Sequence, residues 1–294
     1  KGALITTLPI TNGQGVTALF GSEQLFQMNI EYDLRNPSQN TSLAQITLPP
    51  DTNRQTMYYQ QLTPPPLELE TDQDGNWIAT YQLPAQSDLT ITAQAIAHLT
   101  LDSQRLPTQK APDHTLTAEQ PFWDLSHTTI QQRATNLSSI RSIYDFVVDT
   151  LEYDYSQQEV DVPRLTASQA LGQADRATCE EFTDVFVTLA RAKNIPARRI
   201  TGYAYTRNQT LRPLATQNSD ILHAWPEYFD QAAQEWLPVD PTWEKTTGGV
   251  NYFDLFDLNH ITLAIQGQSS TLPYPAGASF NDGPERKLIE VSFA

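Results

Sequence analysis

The sequence predicts an α+β protein, with an N-terminal all-β sandwich followed by a domain of helices packed on an antiparallel sheet. Two observations support this prediction. Before about residue 110, apolar and polar residues alternate in short runs, as in strands with one buried face. After about residue 125, apolar residues recur first at helical spacing and then in strand-like runs. A chain of 294 residues is long enough for both cores.

The N-terminal strands are predicted from strict alternation over three segments: 26–34, 77–83 and 91–101. Turn signals such as Pro64-Pro65-Pro66 separate the runs. About a hundred residues of short alternating strands favour an immunoglobulin-like sandwich. The predicted division of the chain is a β-sandwich domain (1–110), a polar, proline-bearing linker (111–124) and a second domain (125–294).

The segment from Asp72 to Asn76 resembles a calcium loop in its spacing of oxygen-bearing side chains. It lacks the downstream glutamate of such loops, and Asp-Gly before an alternating strand is typical of a hairpin turn. The single cysteine also excludes a CxxC metal site. We therefore expect a turn here, and no metal or cofactor in the chain.

Three helices are predicted in the second domain, over 140–151, 166–171 and 179–193. Apolar residues line one face of the third: Phe182, Val185, Phe186, Leu189 and Ala190. Thr178 and Glu181 form a capping-box signature at its start. Asn194, which tolerates left-handed backbone, marks its end before Pro196.

Cys179 is the only cysteine in the chain, and it occupies the first position of this predicted helix. Unpaired N–H groups and the helix dipole stabilise a thiolate there. Glu180 and Glu181 oppose that effect, so a cationic partner is needed, and His223 is the candidate. A lone cysteine is otherwise more often a small buried hydrophobe.

His223 lies in a predicted strand over 221–229, and Asp240 ends the next one, over 235–239. A hairpin joins the two strands, and adjacent antiparallel strands bring the two side chains within reach of each other. A cysteine followed by a histidine and an aspartate indicates a nucleophile, its base and the group that orients the base.

Three blocks of sequence resemble the transglutaminase-like superfamily, the thiol acyl-transfer group related to papain-like proteases: 179–203, 223–227 and 236–243. The resemblance covers roughly residues 125–265. It implies a transglutaminase-like (papain-like) catalytic domain with Cys179 as nucleophile, His223 as base and then acid, and Asp240 as orienter. Pro226 replaces a usual β-branched residue and suggests an edge strand, because proline removes a ladder donor.

Donors to an oxyanion are expected near the thiol. The backbone N–H of Cys179 is a natural first donor at a helix start. Gln173 has the spacing that papain-like proteases use for the second donor, although a loop position after the helix end at Gly172 explains it better. Tyr153 or Tyr155 could serve as the side-chain donor does in the resembled family.

Composition limits the partners. The net charge of −16 argues against nucleic acid and anionic membrane surfaces. No apolar run approaches the ~20 residues of a membrane-spanning helix. The chain is rich in Gln, Thr, Asn and Pro and poor in Lys, which favours an exported protein, extracellular or at the cell surface.

The expected function is thiol-dependent acyl transfer on a protein or peptide substrate, at a peptide or glutamine amide. Hydrolysis by a cysteine peptidase or amidase comes first, because water is the default acceptor. A protein-crosslinking transglutaminase is one alternative, and a non-catalytic adhesion or scaffold module with a vestigial site is another. Trp225 and Trp243, from the second and third blocks, are substrate-binding candidates.

Overall fold

The protein is described by a computed structural model over residues 4–9, 15–103, 112–156, 163–205, 222–275 and 289–294. The N-terminal strands are β1 (Leu4–Pro9), β2 (Gly15–Phe20), β3 (Glu23–Asn36), β4 (Ser42–Leu48), β5 (Gln55–Thr63), β6 (Glu68–Thr71), β7 (Trp77–Leu83) and β8 (Ser87–Thr100). The helices are α1 (Thr128–Asn136), α2 (Ile140–Thr150), α3 (Ala167–Gly172), α4 (Cys179–Ala192) and α5 (Pro241–Thr246). The remaining strands are β9 (Ala197–Ala204), β10 (Leu222–Asp230), β11 (Glu235–Pro238), β12 (His260–Gln266) and β13 (Ile289–Phe293).

Two sheets form the predicted N-terminal sandwich, with strand orders β13-β3-β8-β5 and β4-β7-β6. The apolar–polar alternation of the sequence appears in the structure as alternating burial, because every second residue of β3 from Gln24 to Asn36 is buried. Strands β1 and β2 form a separate antiparallel pair. The α+β class and the sandwich are therefore confirmed.

The sandwich takes strands from both ends of the chain. β13 pairs with β3 in antiparallel register, from Ile289 opposite Ile30 to Phe293 opposite Phe26. The predicted second domain, 125–294, includes this strand, although the strand pairs with the sandwich. A short apolar run in the sequence does not specify which sheet edge receives it. We keep 1–110, 111–124 and 125–294 as proposed boundaries, with β13 assigned to the sandwich by its hydrogen bonds.

The described part of the predicted linker, 112–124, contains exposed residues but is anchored by the buried side chains of Leu116 and Trp123. Trp123 is fully buried, and its indole N–H donates to Asp184 Oδ1 at 2.8 Å. The Arg191 guanidinium lies 4.2 Å from the Trp123 ring and donates to the carbonyl of Ala118 at 2.9 Å. The polar composition that predicted a linker concealed a few apolar anchors, which fix this segment against α4.

The second sheet has the strand order β11-β10-β9-β12, and α4 packs against β9 and β10. The helices predicted over 140–151, 166–171 and 179–193 are present as α2, α3 and α4. The edge position suggested by Pro226 is wrong, because β10 lies between β9 and β11. The carbonyl of Pro226 accepts from the Val239 N–H just beyond the end of β11. Pro226 therefore lacks an N–H on the side that faces β11, at a point where the β10–β11 ladder has already ended.

The segment from Asp72 to Asn76 is a turn, as expected. Asp72 Oδ1 accepts from the backbone N–H groups of Asp74 and Asn76 at 2.9 and 2.8 Å. Asp74 Oδ2 accepts from the N–H groups of Gly267 and Gln268, both at 2.9 Å. Both carboxylates therefore stabilise backbone structure. Among the described residues, no helix is long and apolar enough to cross a membrane.

Candidate active site

Cys179 is the first residue of α4, and a capping box fixes the turn that precedes it. Thr178 donates its N–H and its hydroxyl to Glu181 Oε2, at 2.9 and 2.7 Å, and the hydroxyl accepts from the Glu180 N–H. The Cys179 N–H has no acceptor within the helix, and the residue is 1% exposed. The predicted N-cap is confirmed, and it holds the sulfur at the positive end of the helix dipole.

The acidic neighbour Glu180 is neutralised by Arg199 of β9, a residue that sequence reasoning missed. Arg199 Nη2 donates to Glu180 Oε1 at 2.6 Å, and Nη1 lies 3.6 Å from Asp184 Oδ1. Burial lowers the pKa of Arg199, but Glu180, Asp184 and then Cys179 raise it above its usual range. A permanent cation therefore lies near the thiol. The sequence signal that could have revealed this role is the pair Arg198-Arg199 within a strand. Cations buried in such a strand require acidic partners.

His223 lies on β10, opposite Gly202 of β9, and is 1% exposed. Its Nε2 is 2.7 Å from Asp240 Oδ2. The other ring nitrogen, Nδ1, is buried and has no hydrogen-bond partner among the described residues. Burial lowers the pKa of His223, but Asp240 and then Cys179 raise it to about 9. The ring is therefore protonated at neutral pH, under the influence of both the carboxylate and the thiol.

Asp240 is completely buried and caps the N-terminus of α5. Its Oδ1 accepts from the Trp243 N–H at 2.9 Å, and its backbone carbonyl accepts from the Tyr144 hydroxyl at 3.0 Å. Burial raises the pKa of Asp240, but the charge and hydrogen bond of His223, with those of His260, lower it to about 2. The sequence predicted a turn at Asp240 and did not anticipate that the same carboxylate also begins a helix.

A second histidine, His260, shares Asp240 with His223. Its Nε2 is 3.0 Å from Asp240 Oδ2, and its Nδ1 is 2.7 Å from Asp257 Oδ1. Sequence reasoning missed this residue, because His260 comes after the last of the three blocks. The signal that was available is a histidine at the start of an apolar strand, three residues after an aspartate.

His223, Asp240 and His260 form a cluster whose potential metal ligands lie within 4.8 Å of one another. A metal would require both ring nitrogens that face Asp240 to be deprotonated. Asp240 Oδ2 instead lies at hydrogen-bond distance from both nitrogens, and two ring N–H donors satisfy it. The cluster fits a hydrogen-bonded network, so we assign no metal to it.

Trp225 and Trp243 are neighbours of the His223 ring. Their ring centroids are 5.9 and 5.6 Å from it, with interplanar angles of 30° and 33°. Both indoles are buried, so they hold the imidazole and do not form an open substrate surface here. Gly202 makes room for this packing, because a Cβ there would lie 2.4 Å from the Trp225 ring and 2.2 Å from the Ile261 carbonyl oxygen.

The three candidates for the second oxyanion donor differ in position. Tyr153 is mostly buried, and its backbone pairs with that of Ala177, two residues before Cys179. Burial, followed by Cys179, raises the pKa of its phenol. Tyr155 is half exposed and packs on Tyr153 with ring centroids 4.9 Å apart. Gln173 Oε1 accepts from Arg176 at 3.1 Å in an exposed pair. This geometry favours Tyr153 among the three.

One family model and one solved structure agree with this fold. Residues 124–241 match the model of the transglutaminase-like superfamily. A structure from Cytophaga hutchinsonii, named "Putative Cysteine Protease", is 14% identical, with 93% of this chain and 91% of that chain covered and a TM-score of 0.60. The periplasmic domain of TgpA from Pseudomonas aeruginosa is also 14% identical, with 78% and 92% covered and a TM-score of 0.33. Comparison with curated proteins gives no match.

Proposed function

We propose that this chain, whose residues 124–241 match the model of the transglutaminase-like superfamily, is a thiol-dependent acyl-transfer enzyme. In this proposal Cys179 is the nucleophile, His223 is its base and then the acid, and Asp240 orients His223. The substrate is a protein or peptide that presents a peptide or glutamine amide.

The observation that supports the proposal best is the buried bond between His223 and Asp240. It is 2.7 Å long, and both side chains are fully excluded from solvent. Because Nε2 is committed to the carboxylate, Nδ1 is the nitrogen available to Cys179. An imidazole with one nitrogen on an aspartate and the other available to a thiol has the arrangement that activates a cysteine nucleophile.

The chemistry follows from these groups. The Cys179 thiolate attacks the amide carbon, and the carbonyl π electrons move onto oxygen. The Cys179 N–H, with Tyr153 as the preferred second donor, stabilises the oxyanion. When the tetrahedral intermediate collapses, His223 Nδ1 gives its proton to the leaving nitrogen. Water then attacks the thioester carbon and gives a proton to His223. The C–S bond breaks, so the acid product leaves and the Cys179 thiolate is restored.

Hydrolysis is the reaction that we propose first. Amine transfer requires a site that admits an amine to the acyl-enzyme while limiting water. The sequence has no dedicated lysine-recognition motif, and the charge of −16 over the whole chain is more simply a solubility feature. Export, which the composition favours, remains part of the proposal.

The test compares wild type with Cys179→Ala and Asp240→Asn on three substrates. These are a peptide library, a glutamine-bearing protein, and that protein with a fluorescent primary amine. We expect cleavage or deamidation that is lost in Cys179→Ala and falls by roughly 10⁴ in Asp240→Asn, as when an orienting aspartate is neutralised in related triads. Cys179-dependent incorporation of the amine would show that the reaction is crosslinking and not hydrolysis. Inactivity in all three assays would favour the scaffold alternative.

A further inference from the structure

We infer that His260 is a buried imidazolium cation and a positioning residue, which acts on Cys179 through Asp240 and His223. The role of His260 rests on the proposed function, whereas its charge does not. The charge follows from its surroundings, in which a carboxylate lies at each ring nitrogen and aromatic rings exclude water from both contacts.

The first carboxylate determines the proton on Nε2. Asp240 Oδ2 lies 2.7 Å from His223 Nε2 and 3.0 Å from His260 Nε2. Asp240 Oδ1 already accepts the Trp243 N–H. A carboxylate in this setting has only acceptor sites, so each histidine must present a proton to it. His260 therefore carries a proton on Nε2.

The second carboxylate determines the proton on Nδ1. Asp257 Oδ1 lies 2.7 Å from His260 Nδ1 and accepts the backbone N–H of Asn259 at 2.8 Å. Asp257 Oδ2 accepts from the Tyr252 hydroxyl at 3.3 Å. These donors suit an ionised Asp257, which in turn requires Nδ1 to be protonated. With protons on both nitrogens, the His260 ring is a cation.

Aromatic rings surround this cation. The ring centroid of His260 lies 4.5 Å from Phe256, 4.7 Å from Trp243, 5.0 Å from Trp225 and 6.1 Å from Tyr252. These rings exclude water from both carboxylate contacts of His260, and a hydrogen bond is electrostatically stronger in such a low-dielectric site. The aromatic surroundings therefore strengthen the bonds that hold the two ring protons.

The remaining charged groups near His260 lie across a cavity of about 30 Å³ at the junction with the sandwich. Arg54 and Glu227 line this cavity together with His260 and Asp257. Glu227 is paired with Arg198 at 2.6 Å, so its charge is largely compensated. Burial opposes protonation of His260, but Asp257 and Asp240 prevail and raise its pKa to about 9.

A cation on His260 changes what Asp240 does for His223. The carboxylate is held by three donors, so it cannot rotate away from His223. Its negative charge is also divided between two rings, so it stabilises the His223 imidazolium less than an unshared carboxylate would. The His223 proton is therefore easier to pass to a leaving nitrogen, and His260 tunes the acid step without contacting the substrate.

The charge of His260 is tested in a protein that keeps His223, Asp240, His260 and Asp257 unchanged. The ring ¹⁵N chemical shifts of His260 are measured in the Cys179→Ala protein, assigned by comparison with His260→Gln. We expect both ring nitrogens to be protonated from pH 6 to pH 8, with loss of a proton only at about 9. A single protonated nitrogen at pH 7 would overturn the inference, whether or not the protein is an enzyme.

The positioning role is tested with His260→Gln, whose amide can still donate to Asp240 but carries no charge. The readouts are the pH profile of kcat/KM and, independently of any substrate, the pH profile of Cys179 alkylation by iodoacetamide. We expect the alkaline limb, which follows deprotonation of His223, to move up by about one pH unit, the effect of one buried charge. His98→Gln is the matched control, because His98 also binds a carboxylate, Glu23, at 2.7 Å but on the sandwich surface.

Each outcome of these experiments has one meaning. An unshifted alkaline limb in a folded His260→Gln protein would refute the positioning role, even if His260 is a cation. Absence of turnover in wild type would count against the proposed function alone, because the alkylation profile still reports on His223 and Cys179. If His260→Gln does not fold, Asp257→Asn provides the same comparison from the other side of the ring.

Discussion

Gln55 and Thr262 exchange two hydrogen bonds across the junction between the sandwich and the C-terminal half. The Gln55 amide donates to the Thr262 carbonyl at 2.9 Å, and the Thr262 N–H donates to Gln55 Oε1 at 2.8 Å. Asn76 makes the same two bonds with Ile265, at 2.8 and 2.7 Å. Two amide side chains thus replace a neighbouring strand along β12, which is the edge of its sheet.

Loss of either amide should destabilise the whole protein. Gln55→Ala leaves a buried carbonyl and a buried N–H unsatisfied, so we expect the free energy of unfolding to fall by about 2–4 kcal/mol, with a single transition in urea. Gln60→Ala is the control, because among the described residues the Gln60 side chain bonds to Gln27 alone, on the exposed face. Two separate transitions would show that the halves unfold independently.

The buried histidines should make stability depend on pH. The pKa of His223 and of His260 is about 9 in the folded protein, against 6.5 as the ordinary value. Their contribution is complete below about pH 6.5 and is lost as the pH rises through 9. The lowered pKa of Asp240 contributes to stability at pH values above 3.8, its ordinary pKa. That contribution is lost as the pH falls towards 2.

The measurement is the free energy of unfolding in urea between pH 6 and pH 10. We expect a decline between about pH 6.5 and pH 9 in wild type, with little change above it, and a shallower decline in His260→Gln. Stability that is independent of pH in wild type would contradict the protonated state of both rings.

Gly202→Ala should disturb the site without changing any proposed catalytic residue. The added methyl would overlap the Ile261 carbonyl and the Trp225 ring, so the indole that packs on His223 must move. We expect a loss of about 1–3 kcal/mol in stability, as for overpacking of a core, and slower alkylation of Cys179. Gly172→Ala is the matched control, because nothing lies within 4 Å of a Cβ at that position. Equal behaviour of the two variants would refute the packing role.

Arg199→Met should be among the most destabilising substitutions in the protein. It removes the cation from Glu180 and Asp184, and breaking a buried ion pair on one side costs about 3–5 kcal/mol. The alkylation rate of Cys179 should also fall, because an uncompensated Glu180 charge lies beside the thiol. Arg35→Met is the control, since its pair with Asp88 is exposed and 3.6 Å long. A similar effect of both substitutions on unfolding would contradict the role of Arg199.

Chelation of divalent metals should leave the protein unchanged. Asp72 and Asp74 bind backbone N–H groups, and Asp240 binds two histidines, so these carboxylates are already satisfied. We expect EDTA to alter neither the unfolding midpoint nor the Cys179-dependent activity. A lower midpoint that calcium restores would establish a metal site that we do not assign.

Local pattern was enough to predict much of this molecule. The alternation over 26–34 fixed which face of β3 is buried, because strand side chains alternate in direction whatever they pack against. Thr178, Glu181 and Asn194 predicted where α4 begins and ends, because capping is completed within a few residues of each end. The order of Cys179, His223 and Asp240 also indicated thiol chemistry before any distance was known.

Tertiary structure alone decided the rest, because the deciding contacts join residues far apart in the chain. The sequence could not show that β13 returns to β3, or that Gln55 satisfies the backbone of β12, since edge pairing depends on which strand arrives there. Arg199 and His260 look like ordinary polar residues until burial removes water from them. Once buried, each must find a charged partner, and those partners, Glu180 with Asp184 and Asp240 with Asp257, are the groups that determine the electrostatics around Cys179.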